Sequence, residues 1–295
     1  MACSIVIPTR DRPYGLKLAV SSAFLELKKV DGEIIVIDDG SKISAGEILS
    51  DFNSDRLKIF SNPGLSGPST SRNYGVTKAS GSIVHFLDDD DQFFPGYCLS
   101  VQEKVLRLNP QVEFGFSTVS ANSRKRRKKG ILSGADKIED FLTGLGCGFF
   151  IRRNVFQRIG GLDEMIQVNE DTEFCIRLKR ANVIGWACDF QGVILGKDGK
   201  RSKSDRFSAT SLAEPGLRAA SFEQIFCKHS DFFADHRSIR RRFVIRILKY
   251  RLREKNYCKW KSFVSNHVPE YDRTLFHALG KLAFSVKSCL HVSGL

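Results

Sequence analysis

The chain has no pair of cysteines in a C-x-x-C spacing, although eight cysteines stand at positions 3, 98, 147, 175, 188, 227, 258 and 289 of its 295 residues. Metal knuckles and compact disulfide frameworks are built on short paired spacings, so neither a zinc module nor a disulfide scaffold is expected. Most of these cysteines sit in apolar stretches, where a reduced thiol behaves as a small hydrophobe, and a reducing compartment is the matching expectation. No apolar run reaches the roughly 18 residues that a membrane-spanning helix needs. No secretory signal is visible either, because the opening residues run straight into a strand-like segment. A cytoplasmic protein is expected, at most peripheral at the inner face of the cell membrane.

What is abundant is apolar bulk and positive charge. Hydrophobic residues make up 42% of the chain and charged residues 27%, with 23 phenylalanines, which argues for a folded core and against disorder. The length suits one large domain, or a catalytic domain with a smaller appendage. The net charge of +13 is uneven: from Arg240 onward 13 basic residues face three acidic ones, and Arg124-Lys125-Arg126-Arg127-Lys128-Lys129 form a second block. Such an excess suits nucleic acid, an anionic membrane or a polyanionic substrate, and equally a solvated face.

Strand and helix patterns alternate over the first 120 residues, the signature of a parallel sheet with crossover helices. Strands are predicted over 3–8, 33–38, 57–61, 82–88 and 112–119, and helices over 15–27, 45–52, 69–79 and 95–108. Runs such as Ile34-Ile35-Val36-Ile37 are continuous rather than alternating, as in strands covered on both faces. Residues 120–137 read as a loop. A second α/β stretch follows, with a strand near 147–152, a short helix near 155–159 and a helix from about 170 to 181. Residues 196–215 read as a flexible connection or active-site loop, and helical patterns run from 217 to the end.

Four clusters carry chemistry. The strand Ile83-Val84-His85-Phe86-Leu87 runs into Asp88-Asp89-Asp90-Asp91, where adjacent carboxylates repel one another and invite a hard divalent cation. Strand alternation puts Asp88 and Asp90 on one side. The same run also suits a plain loop or helix cap. Asp38-Asp39-Gly40-Ser41 ends another strand at the edge where open α/β sheets bind ligands, or merely caps a turn. In the stretch from Gly64 to Asn73, Ser69 is a candidate N-cap, and Arg72 with a helix amino terminus would favour phosphate. Glu170-Asp171 opens a helix, where two acids serve equally well as routine caps.

Taken together and in order, these stretches resemble the family 2 inverting glycosyltransferases. The resemblance rests on Ser4-Ile5-Val6-Ile7-Pro8-Thr9, Val36-Ile37-Asp38-Asp39-Gly40-Ser41, Gly67-Pro68-Ser69 to Arg72-Asn73, and Gly81-Ser82 to Phe86-Leu87-Asp88-Asp89-Asp90-Asp91 with Pro95. It continues through Phe150-Ile151-Arg152-Arg153, Gly160-Gly161-Leu162-Asp163-Glu164 and Glu170-Asp171, covering roughly residues 3–190. It implies an α/β fold of the GT-A type, a Rossmann-like, mostly parallel sheet flanked by helices, here with a C-terminal helical extension. The implied catalytic domain is 1–212, with a nucleotide-binding half at 1–120 and an acceptor half at 130–212; 213–295 would be a basic helical region.

By the same resemblance, Pro8, Thr9 and Asp11 lie near the base and ribose of a nucleotide-sugar donor, expected to be a UDP-sugar, and Asp39 accepts from the base. Arg72 contacts the base or diphosphate. Asp88, Asp89 and Asp90 form the donor and metal site for Mn2+ or Mg2+, with Asp90 and Asp88 as ligands, and Asp171 is the catalytic base. The implied acceptor is a glycan or lipid-linked glycan in surface polysaccharide or glycolipid assembly. Many relatives carry a histidine after the base-bearing helix; here none lies between His85 and His229, and Lys200 and Arg201 are expected to clamp the diphosphate instead.

Two further readings concern the basic excess. Ile239, Phe243, Val244, Ile247, Leu248 and Leu252 form an apolar stripe among Arg240, Arg241, Arg242, Arg246, Lys249, Arg251 and Arg253. That pattern suits a helix lying on an anionic membrane, or one whose stripe packs on the catalytic domain with its cations solvated. Arg124 to Lys129 would reinforce membrane docking or hold the diphosphate of a lipid-linked acceptor. A sugar nucleotidyltransferase shares much of the donor-site pattern but gives no reason for Asp171. A nucleic-acid partner is not expected, since basic and aromatic residues are not interleaved as recognition modules require.

Overall fold

The computed structural model describes residues 1–64, 66–119, 128–196 and 214–292. The chain divides into two compact units, Met1–Met165 with Glu170–Arg201, and Ile166–Asn169 with Ser202–Leu295. The expected domain boundary after residue 212 lies outside the described residues.

The first unit opens with β1 (Cys3–Thr9), α1 (Pro13–Leu27), β2 (Gly32–Asp38), α2 (Ala45–Ile48), β3 (Leu57–Ser61), α3 (Pro68–Lys78) and β4 (Ile83–Phe86). Next come β5 (Gln92–Phe93) and α4 (Tyr97–Ser100), which continues as a π-helical stretch, Val101–Leu106. The unit is completed by β6 (Phe114–Thr118), β7 (Gly130–Leu132), α5 (Ile138–Phe141), β8 (Phe149–Arg152), α6 (Arg153–Arg158), α7 (Glu170–Arg180), β9 (Gly185–Gln191) and β10 (Val193–Ile194). Eight strands form one sheet in the order β3-β2-β1-β4-β8-β6-β9-β7, and β5 pairs with β10 separately. Strands β3, β2, β1 and β4 are mutually parallel. Strand β8 runs antiparallel to β4 and β6, β9 parallel to β6, and β7 antiparallel to β9.

The continuous apolar runs have the cause inferred for them. Ile5, Val6, Ile7, Ile34, Ile35, Val36 and Ile37 are all fully buried, so both faces of β1 and β2 are covered. Strands β7 and β9 were not anticipated: β7 falls inside the expected 120–137 loop, and Gly185-Trp186-Ala187-Cys188-Asp189 has neither a continuous apolar run nor clean alternation. Ser69 is not the cap of α3; Gly67 takes that position and Pro68 is the first helical residue, where a missing N–H does no harm.

The second unit holds α8 (Pro215–Lys228), α9 (Ser230–Asp235), α10 (Arg237–Glu254), α11 (Tyr257–His267) and α12 (Glu270–Val292). The stripe expected to face a membrane lies inside this unit: Ile239, Phe243, Val244, Ile247 and Leu248 are all buried. Phe243 packs against Phe222 of α8 and Phe233 of α9. Two of the cations are buried with it. The Arg240 guanidinium donates to Asp272 at 2.9 Å and to the Phe233 carbonyl at 2.7 Å, and Arg251 donates to both oxygens of Glu223. The membrane-surface reading of this helix is therefore corrected, because an apolar face already buried in a helical core cannot also enter a lipid interface. Among the described residues no helix is long and apolar enough to cross a membrane.

Candidate active site

Because β1, β2 and β4 are parallel, their carboxyl ends emerge along one edge of the sheet, where ligands bind in open α/β folds. Backbone bonds continue the alignment past the strand ends: the Asp39 N–H donates to the Thr9 carbonyl at 2.9 Å, and the Leu87 N–H to Val6 at 3.1 Å. Strand β4 ends at Phe86, and the acidic run folds into a turn closed by the Asp91 N–H on the Asp88 carbonyl at 3.1 Å. This turn gathers Asp88, Asp90 and Asp91, with one carboxylate oxygen from each within 4.8 Å of the others. Strand alternation anticipated Asp88 and Asp90. It missed Asp91, because the chain is no longer extended there.

Asp89 departs from the expected donor contact. Its side chain is buried, one oxygen accepting from Thr9 Oγ1 at 2.9 Å and from the Arg10 N–H, the other from Arg12 at 2.9 Å. Burial pushes its carboxyl up to about 6, against the pull of Arg12 and the Thr9 hydroxyl. Arg12 also pairs with Asp90 at 2.9 Å, tying the β1–α1 turn to the acidic run.

Arg72 points from the buried face of α3 into the carboxylates. It donates to Asp88 Oδ1 at 2.6 Å and to Glu170 Oε1 at 3.2 Å, joining the end of β4 to the start of α7. Burial would lower its pKa, but Asp88 and Glu170 raise it. The structure thus places Arg72 among acids rather than at the free helix terminus. Burial likewise raises the carboxyl pKa of Glu170 and of Asp171, in each case opposed by Arg72. Asp171 Oδ1 accepts from the Thr172 N–H at 2.6 Å. Its Oδ2 is turned toward Gly144, where an added Cβ would stand 3.6 Å away.

The segment Gly144-Leu145-Gly146 spans the two acids. A Cβ on Gly146 would lie 2.2 Å from Asp88 Oδ2, so any side chain there would push the Asp88 carboxylate from its present position. Sequence reasoning missed this segment; its signal was the alternate-glycine spacing at 144, 146 and 148.

The remaining expected contacts occupy the same edge. Asp39 accepts from Asn62 at 2.6 Å, from the Ser66 hydroxyl at 2.7 Å and from the Gly67 N–H at 3.0 Å, so it organises the approach to α3. Pro8 is half-buried at the end of β1. Asp11, with a left-handed φ of 54°, accepts from the Lys42 N–H at 2.8 Å and bridges the β1–α1 and β2–α2 turns. Asp38 is committed to structure, its oxygens accepting from the Ser41 and Ala45 N–H groups. Lys200, Arg201 and Arg124 to Arg127 lie outside the described residues. Of the same basic block, Lys128 pairs with Asp136, and Lys129 donates to the Cys188 carbonyl at 3.1 Å.

The donor set of Asp88, Asp90 and Asp91 is all carboxylate oxygen, which fits a hard divalent ion of the Mg2+ or Mn2+ kind and not a soft one. Arg12 and Arg72 already offset part of that negative charge.

The parallel edge of the sheet gathers these acids, and Glu170 and Asp171 at the start of α7 join them through Arg72. The chain belongs to glycosyl transferase family 2, whose model matches residues 4–165. It is 36% identical over 104 residues to the GalNAc(5)-diNAcBac-PP-undecaprenol beta-1,3-glucosyltransferase of Campylobacter jejuni, covering 34% of this chain and 33% of that protein. It is 26% identical over 187 residues to an uncharacterized glycosyltransferase of Haemophilus influenzae, covering 59% and 61%. The matches thus span from about a third to about six-tenths of these relatives' lengths. Among solved structures, S. aureus TarS 1–349 superimposes with a TM-score of 0.68 at 14% identity, over 100% of this chain and 92% of that one. The same fragment in complex with UDP-GlcNAc gives 0.68 at 16% identity, over 97% and 89%. The fold is of the GT-A type.

Proposed function

We propose that the chain transfers a sugar from a UDP-sugar to an acceptor hydroxyl with inversion at the anomeric carbon. The observation that carries this is the gathering of Asp88, Asp90 and Asp91 just past β4, joined through Arg72 to Glu170 beside Asp171, in a family 2 chain. The TarS complex with UDP-GlcNAc supports the donor class, and the Campylobacter relative supports a lipid-linked glycan as acceptor.

In this reading Asp39 and Asp11 receive the nucleoside, and Asp88, Asp90 and Asp91 hold Mn2+ or Mg2+. When bound there, such an ion would supply Lewis-acid chemistry toward the departing diphosphate. Asp171 takes the proton from the acceptor hydroxyl as that oxygen attacks the anomeric carbon and the bond from that carbon to the diphosphate breaks. Burial raises the carboxyl pKa of Asp171, which strengthens the carboxylate as a base. Arg72 keeps the acids from repelling one another, Gly144 leaves room beside Asp171, and Gly146 lets the chain pass close to Asp88. Lys200 and Arg201 remain candidates for the diphosphate.

The test is calorimetric titration of the protein with UDP, with and without Mn2+, joined to an assay of UDP release from UDP-sugars. Metal-dependent UDP binding with release of UDP is expected, both lost in Asp88→Asn/Asp90→Asn. Metal-independent binding, or full turnover in that double variant, refutes the reading.

A further inference from the structure

A second cluster lies beneath the sheet face, away from the carboxylates. In the register of β1 against β4, Ile5 pairs with His85 and Cys3 with Ile83, so Cys3 and His85 are diagonal neighbours on one face of the sheet. Helix α4 covers that face with Cys98. All three side chains are fully buried, and their Sγ and imidazole nitrogen atoms lie within 4.8 Å of one another. Neither ring nitrogen of His85 has a hydrogen-bond partner. The ring stands edge-on to Tyr97 at 5.4 Å and to Phe93 at 6.2 Å. An imidazole N–H can rest against an aromatic face, but the lone pair on the other nitrogen gains nothing from one. Burial holds the imidazole neutral, with its pKa down at about 3, so that lone pair is permanently available.

We propose that Cys3, His85 and Cys98 bind a zinc ion in the core, independently of the catalytic carboxylates. The chemistry selects the metal. Two thiolates and an imidazole are a zinc donor set, whereas Mg2+ and Mn2+ prefer oxygen. Zinc enters as Zn2+ while the two thiols lose two protons, so the charge of the dry core is unchanged; Cu+ entering the same way would leave it one unit more negative. Around zinc, with Zn–S of about 2.3 Å and Zn–N of about 2.0–2.1 Å, ligand atoms stand roughly 3.5–3.8 Å apart. Atoms already within 4.8 Å need only close by about 1 Å. The buried Glu26, which accepts from the Gly96 and Cys98 N–H groups at 2.6 and 2.7 Å and lies in hydrogen-bond reach of the Cys98 thiol, orients the Cys98 side of the site. The ion would pin β1, β4 and α4 together just behind the strand that delivers the acidic turn. The absence of a C-x-x-C pair hides such a site from the sequence, since its ligands come from positions 3, 85 and 98.

The test uses the full chain, free of any histidine tag and kept reduced. After dialysis against EDTA, about one zinc per chain is expected by elemental analysis. Replacement with Co2+ should give the intense near-ultraviolet sulfur-to-cobalt absorption that carboxylates cannot produce. That band should persist in Asp88→Asn/Asp90→Asn and vanish in Cys98→Ala. His85→Phe, which keeps an aromatic ring among aromatics, should lose the metal and melt at a lower temperature than the zinc-loaded protein. No retained zinc together with only a weak, oxygen-type cobalt spectrum in the unmutated chain overturns the proposal, whether or not the variants fold. So does a His85→Phe protein of unchanged metal content.

Discussion

Replacing Arg72 with methionine removes one charge from a group of four. Arg72 is 6% exposed and its guanidinium pairs with Asp88 and Glu170, while Asp171 feels its charge from nearby. Breaking a fully buried ion pair by deleting one partner costs roughly 3–5 kcal/mol. Two features reduce that here. Asp88 retains 34% side-chain exposure and can be hydrated once Arg72 is gone. The Arg72 Nε is buried without a partner, so its removal relieves a penalty. A loss of about 2–3 kcal/mol remains. At roughly 2–4 °C per kcal/mol for a unit of this size, that is a Tm drop of roughly 4–12 °C.

The pH dependence follows from the raised carboxyl pKa values of Glu170 and Asp171. A folded pKa above the unfolded one means that the protonated carboxyl favours the fold. That contribution is complete below the ordinary carboxylate range and is lost as pH rises through the raised folded value. Without Arg72 both groups are raised further, so the deficit should be full at about pH 7.5 and clearly smaller at about pH 5. Unfolding is best followed by Trp186 fluorescence in a Trp260→Phe background, because Trp186 lies in β9 of the unit that holds Arg72. Adding Glu170→Gln should restore part of the neutral-pH loss. An equal Tm drop at both pH values, with no recovery in the double variant, refutes the charge argument.

Three other outcomes are expected. Gly146→Ala drives a Cβ to 2.2 Å from Asp88 Oδ2, so kcat/KM should fall about 10²-fold with the fold kept, whereas Gly144→Ala, in ordinary contact with Asp171, should do much less. Comparable losses in the two variants would contradict the geometry. Asp171→Asn should bind UDP normally yet transfer about 10²–10⁴-fold more slowly; normal turnover would remove Asp171 from its role. The raised pKa of Asp171 should also place the acid limb of the unmutated rate profile above the ordinary aspartate range. A limb within that range would argue against it.

Local sequence was enough to place β1, β2 and β4, because their continuous apolar runs are buried on both faces; β3, Leu-Lys-Ile-Phe-Ser, is only half-buried and was legible from its place in the strand–helix alternation. Local sequence left Asp39 and Asp171 open between a site and a routine cap; only the order of the motifs along the chain, through the family resemblance, singled them out with Asp88 and Asp90. Tertiary structure decided what those residues do to one another. The turn after β4 brought Asp91 to Asp88 and turned Asp89 inward, a consequence of where the strand stops. Arg72 met Glu170 across 98 positions of chain, and Gly146 met Asp88, contacts no local pattern contains. The stripe on Arg237–Glu254 has the same periodicity whether it meets lipid or protein, so only the packed helices of its own unit could settle the matter. Periodicity reports that a face is to be buried; the partner that buries it, and the charges brought together as it does so, depend on how distant segments pack.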